Sequence, residues 1–94
     1  MNNQFTAEDG HIERIEIDCD KVIIHFQTWN NRNFVLTYSD IDEMYLRNPV
    51  GTDIGEYRIT ELPDGKTNYS FYEAWDSERI VSVTAEIYSV QEKS

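Results

Sequence analysis

Three groups of side chains in this 94-residue chain are of a type that does chemistry. They are one thiol with two imidazoles, short runs of carboxylates, and two carboxylates that strand alternation turns toward an apolar face. Cys19 with His11 or His25 has the composition of a thiolate–imidazole nucleophile. A two-residue turn at Cys19-Asp20, however, leaves His25 opposite Arg14, several residues up the strands, and His11 farther still. That separation is too large for a catalytic pair, so an exposed, inert cysteine is expected. Asp18-x-Asp20 and Asp40-x-Asp42-Glu43 offer oxygen ligands, but a calcium loop needs more ligands at fixed spacing and a glycine at its bend. Solvated or capping carboxylates are the plainer reading, and neither a metal nor a cofactor is expected.

The inward carboxylates are the sharper case. Alternation places Glu13 opposite Phe26 and Glu73 opposite Gly55, beside Val83. A carboxyl among apolar neighbours has a raised pKa and serves as a general acid, and Gly55 would leave room for a ligand. The plainer alternative is that each sits near a sheet edge or on a bulge that turns it to solvent. Glycines 10, 51, 55 and 65 form no phosphate loop, since Gly51-x-x-x-Gly55 lacks a following lysine and helix.

Charge narrows the partner. Eighteen Asp and Glu against eight Lys and Arg give a net charge of −10, with −5 in residues 1–48 and −5 in residues 49–94. The surplus therefore covers the whole surface. It argues against nucleic acid, which needs a basic footprint, and favours a basic partner or high solubility. No apolar run is long enough to span a membrane, and Met1-Asn2-Asn3-Gln4 opens no visible signal peptide. A single cysteine makes no internal disulfide, consistent with the cytoplasm.

These residues must be positioned by strands. One domain, 1–94, is expected, with 1–10 and 91–94 as loose ends. Residues 11–18 and 21–28 pair Asp18 with Lys21, Ile17 with Val22 and Ile15 with Ile24. A three-residue loop at 30–32 puts Phe26 opposite Leu36, Ile24 opposite Tyr38 and Thr28 opposite Phe34. Ser39 to Leu46 reads as a short helix at about 40–47. Acids crowd its first turn, Ile41, Met44 and Tyr45 are helically spaced, and Pro49 and Gly51 follow. Residues 54–62 and 67–75 flank Pro63-Asp64-Gly65, aligning Tyr57 with Phe71 and Ile59 with Tyr69. A turn at 76–79 leads into 80–90, aligning Trp75 with Val81 and Phe71 with Ala85. The second apolar face then comprises Tyr57, Ile59, Tyr69, Phe71, Trp75, Val81, Val83 and Ile87. The fold class is mainly β with one short helix: two three-stranded antiparallel meanders forming a curved sheet, a sandwich or a partly open barrel.

Twelve aromatic residues are a surplus for this length. Trp29, Tyr45, Tyr72 and Tyr88 fall on opposite or terminal positions, where exposed rings among acids suit an interface and, equally, rings can pack under a second layer or helix. Phe71-Tyr72-Glu73-Ala74-Trp75-Asp76 with Ile80-x-x-Val83-x-Ala85-Glu86, and Ile15-x-Ile17, Val22-x-Ile24-x-Phe26 and Leu36-x-Tyr38-x-Asp40-Ile41, resemble small acidic bacterial immunity proteins. The resemblance implies a tight protein partner, often a basic toxin, and no catalysis. It transfers no binding residue. The face nominated for such a partner is Asp40, Asp42, Glu43 and Tyr45 with Glu56 and Tyr72. The first expectation is thus a non-enzymatic acidic module that binds a basic protein. The second is a small-ligand binder or minor enzyme with a pocket at Glu73 and Gly55. The third is a homo-oligomeric structural subunit.

Overall fold

The computed structural model describes residues 5–93. Six strands are formed: β1 (His11–Asp18), β2 (Lys21–Gln27), β3 (Asn33–Leu46), β4 (Ile54–Glu61), β5 (Thr67–Glu73) and β6 (Arg79–Lys93). They make one antiparallel sheet in the order β1-β2-β3-β6-β5-β4. The two expected meanders are present, and the long β3–β6 pairing fuses them into one sheet. One face of this sheet carries Ile24, Phe26, Phe34, Leu36, Tyr38, Phe71, Val81 and Val83, all buried.

The expected helix at 40–47 is absent; Ser39 to Leu46 are the second half of β3. The pairing shifts register between Ile41 and Glu43, so Asp42 is an extra residue in the strand. One inserted residue turns a period of two into a spacing of three. Ile41, Met44 and Leu46 therefore share the inner face, and Ile41-x-x-Met44 imitates a helix. An isolated two-turn helix is marginal, whereas the strand pairs fully along β6 from Ile41↔Ala85 to Leu46↔Val81.

The same region bends the sheet. Tyr38 and Tyr88 pair on the inner face, and so do Ile41 and Ala85, three residues on along each strand. Both strands therefore exchange faces at one place, where Asp40 adopts a left-handed φ of 55°. The bend folds the sheet over its own core. The two edge strands then meet at one end. Asp9 N–H donates to the Ile54 carbonyl and Ile54 N–H to the Gly10 carbonyl, each at 2.8 Å, and Gly51 N–H donates to the Ile12 carbonyl at 2.9 Å. At the other end the edges stay apart, and inner-face Ile17 and Ile59 are 54% and 53% exposed.

The β1–β2 and β4–β5 registers match the expectation at Ile15↔Ile24 and Tyr57↔Phe71. The β2–β3 loop has three residues but begins one residue earlier, at Trp29, and ends on left-handed Asn31. Phe26 therefore faces Phe34 and Ile24 faces Leu36, the apolar set unchanged. In β5–β6, Phe71 faces Val81 rather than Ala85. Trp75 lies in the connecting turn and is 84% exposed, not in the core, and Ile87 is exposed as well. Residues 5–10 are not a loose end. The Phe5 ring packs edge-on against Phe26, Phe34 and Tyr57, and Ala7 is buried. Residues 91–93 belong to β6, whereas 1–4 and 94 lie outside the described residues.

Candidate functional site

The outer face of β3, β6, β5 and β4 carries a cleft of about 750 Å³, a volume in the range of small-molecule and side-chain pockets. Register builds it in three rungs. One runs Glu43–Thr84–Asn68–Thr60, the next Tyr45–Ser82–Ser70–Arg58, and the third Arg79–Tyr72–Glu56. An outward sheet face is usually charged, but the central positions here are small and neutral.

These central residues form a closed hydrogen-bond set. Asn68 Nδ2 donates to Ser82 Oγ at 2.9 Å and to Thr84 Oγ1 at 3.0 Å. Ser70 Oγ donates to Asn68 Oδ1 at 2.6 Å. Ser70 is 2% exposed and Thr84 5%, so each needs the partner it has. The walls are firmer than exposed side chains usually are. Arg58 gives two hydrogen bonds of 3.0 Å to Glu56, from Nε to Oε2 and from its terminal NH2 group to Oε1. Its guanidinium carbon lies 4.8 Å from the Tyr72 ring centre. That fork-and-stack arrangement limits the rotamers of all three side chains.

The nominated partner-binding residues divide between this cleft and its surroundings. Glu43, Tyr45 and Tyr72 line it. Glu56 stands behind Arg58, and Asp42 pairs with Lys66 at 3.0 Å. Asp40 sits at the bend, where the Ile41 amide reaches the Asp20 carbonyl. With no helix, these acids have no common helical face. The sequence did not single out Arg58, Asn68, Ser70, Arg79, Ser82 or Thr84. Their signal is the alternation Asn68-x-Ser70 beside Ser82-x-Thr84, visible only in the true β5–β6 register.

The pocket expected at Glu73 and Gly55 takes another form. Ile54 faces Glu73, and the register shifts before Glu56, which leaves Gly55 on a bulge. A Cβ on Gly55 would stand 2.9 Å from the Ala74 Cα, so backbone fills the space assigned to a ligand. Glu73 is half-buried and accepts the Asp76 N–H at 3.2 Å. It lines a separate hollow of about 200 Å³ with Arg47, Asn48, Thr52 and Glu78. Glu13 lies at the register shift between Ile12 and Arg14 and is exposed.

The thiol and imidazoles stay apart. His25 pairs with Arg14 four rungs from the Cys19 turn, about 14 Å along the strand. His25 instead meets Glu16 at 2.7 Å, with Arg14 at 3.3 Å. The hydrogen bond from His25, then the Arg14 charge, holds the Glu16 carboxyl below its ordinary value. Among the described residues no three His, Cys, Asp or Glu side chains are grouped to hold a metal. Among the described residues five carboxylates are ion-paired (Glu16, Asp42, Glu56, Glu78 and Glu92), and the other thirteen of the eighteen have no such partner there. The chain matches no family model, no curated protein and no solved structure.

Proposed function

We propose that this chain is a non-catalytic protein-binding module. Its docking face is the cleft over β3, β6, β5 and β4, and its partner is a basic protein. The observation that carries the reading is the Tyr72 ring held under Arg58, facing Tyr45 across a floor whose buried polar groups are already satisfied. Walls of Tyr and Arg held in place before binding lose little entropy on association and are the residue types that anchor interfaces. The thirteen unpaired carboxylates supply the long-range field. They accelerate encounter with a basic partner and weaken as salt rises. A role of the immunity type, in which the partner is a toxin held inactive, is the form of this reading that the sequence resemblance favours.

The test compares the wild-type chain with a Tyr45→Ala/Tyr72→Ala variant as immobilised bait, at low and moderate salt. A basic protein that binds the wild type, elutes with salt and is lost from the variant supports the reading. Equal retention on both baits sinks the docking face. Retention that is indifferent to salt sinks the role of charge.

A further inference from the structure

We propose that the cleft recognises a carboxylate carried by the partner polypeptide, with Arg79 as its anchor. This inference rests on the docking reading above and specifies what enters the site.

Arg79 is out of place in the charge balance. Among the described residues thirteen carboxylates have no ion-pair partner, yet none of them pairs with Arg79, an exposed guanidinium on the cleft wall. The other guanidinium of the wall, Arg58, is fully engaged by Glu56 and Tyr72. An arginine offers five donors in a fork that matches a carboxylate. In a surface this acidic, one that stays unpaired inside a concave site is available to an incoming anion.

The floor points the same way. Ser82 and Thr84 each accept a hydrogen from the Asn68 amide. Acceptance leaves the Thr84 hydroxyl hydrogen free to donate and that of Ser82 with only Ser70 Oγ nearby, at a long 3.5 Å, and both residues line the cleft. Ser70 is excluded from that role, because its hydrogen goes to Asn68 Oδ1. The phenol groups of Tyr45 and Tyr72 add two further donors at the walls. The cleft thus combines an unpaired guanidinium with hydroxyls able to donate, against one lining carboxylate, Glu43. A carboxylate, which only accepts, complements such a site.

Charge limits the ligand to one negative charge. Glu43 lines the cleft and Glu56 stands behind Arg58, so a phosphate with its second charge would meet greater repulsion. The net charge of −10 opposes any free anion at long range. A carboxylate delivered on a basic protein escapes that repulsion, which is why the partner's own chain is the source argued here.

The experiment is a titration of the full-length, 15N-labelled chain followed by NMR. The probes are N-acetyl-glutamate α-amide, its glutamine counterpart, N-acetyl-arginine amide and acetate. The glutamate probe is expected to shift the amides of Arg79 to Thr84 and the Asn68 side-chain amide saturably. Arg79→Gln should weaken that binding about tenfold, the worth of one charge-assisted contact, and Ser82→Ala should weaken it less. Unchanged amide shifts away from the cleft show that both variants fold. Four outcomes overturn the inference: equal binding of the glutamine probe, preference for the arginine probe, acetate binding as tightly as the glutamate probe, and indifference to Arg79→Gln. The third points to a free small carboxylate as ligand. Indifference to Ser82→Ala overturns the floor's part, since the reversed Asn68 amide would have consumed the hydroxyl hydrogens. If the probe fails while partner capture still requires Tyr45 and Tyr72, the docking reading stands and only the carboxylate falls.

Discussion

The hydroxyls of Tyr38 and Tyr57 meet at 3.0 Å, joining strands that are not neighbours in the sheet. Tyr38 lies just before the bend of β3, and Tyr57 lies on the edge strand β4. Their contact ties the two halves of the folded sheet across the interior. Tyr57→Phe is expected to cost about 1 kcal/mol, the net worth of a buried hydrogen bond. Tyr38→Phe should cost about the same. The double variant should cost less than the sum, because each single change already breaks the shared bond. Urea unfolding of the four proteins checks this. Strict additivity would mean that the two hydroxyls do not interact.

The same pair sets an alkaline limit. Burial, more than any neighbour, raises both phenols above the ordinary value of 10.0. The folded chain therefore keeps protons that the unfolded chain releases. The resulting stability is fully present below pH 10.0 and is lost as pH climbs beyond it. Stability should fall steeply above that point, and less steeply in Tyr57→Phe. Tyrosinate absorbance is the second readout. Part of it should appear only as the chain unfolds, and full ionisation of every tyrosine in the folded protein would refute the assignment.

Two glycines are required by close approach rather than by turn geometry. A Cβ on Gly10 would stand 2.6 Å from the Gln27 carbonyl oxygen, and one on Gly55 would stand 2.9 Å from the Ala74 Cα. Backbone cannot yield as a flexible side chain does. Gly10→Ala and Gly55→Ala should each cost about 1–3 kcal/mol. Gly65→Ala meets nothing within 4 Å and bears only its φ of 88°, so it should cost about 1 kcal/mol. Urea midpoints rank the three, and Gly55→Ala behaving as mildly as Gly65→Ala would count against the bulge.

How much of this could be read from the residues depends on what each signal measures. Ile15↔Ile24 and Tyr57↔Phe71 were legible because a tight turn with definite chemistry fixes each register. The β5–β6 register was not, because Asp76-Ser77-Glu78-Arg79 permits several loop lengths. Trp75 looked like a core residue, yet the turn took it. The same open register conceals the cleft floor. Shifted by four, Ser70 and Asn68 would face Glu86 and Tyr88 rather than Ser82 and Thr84. Residues 40–47 imitate a helix because one bulged residue, Asp42, produces helical spacing inside a strand. Only the partner strand β6 decides between the two, and it lies about forty residues away in sequence.

The bend itself is testable at Asp40, whose φ of 55° is costly for residues with a Cβ. Asp40→Gly should leave stability unchanged or raise it by up to about 1 kcal/mol. Asp40→Val should lower it by about 1–2 kcal/mol, since a β-branched residue is least tolerant of that conformation. Circular dichroism of both variants should show no gain of helix. If Asp40→Val is neutral, the strand is not bent there.

Asn68 governs the sign of the cleft. Its amide donates to Ser82 and Thr84 and accepts from Ser70. Asn68→Ala would leave the buried Ser70 hydroxyl only the long 3.5 Å contact with Ser82 Oγ, at a cost of about 1 kcal/mol. Asn68→Asp is the more informative change. A carboxylate there can only accept, so Ser82 and Thr84 must turn their hydrogens down toward it, leaving lone pairs to face the cleft. The floor then changes from donor to acceptor and gains a negative charge. Binding of the glutamate probe should be lost, and the arginine probe should bind in its place. The reversal requires the ionised carboxyl, so preference for the arginine probe should strengthen as pH rises through the titration of that group. NMR titration with both probes across pH follows it directly. A cleft that still prefers glutamate after Asn68→Asp, with the new carboxyl ionised, would show that the floor hydroxyls do not set its selectivity.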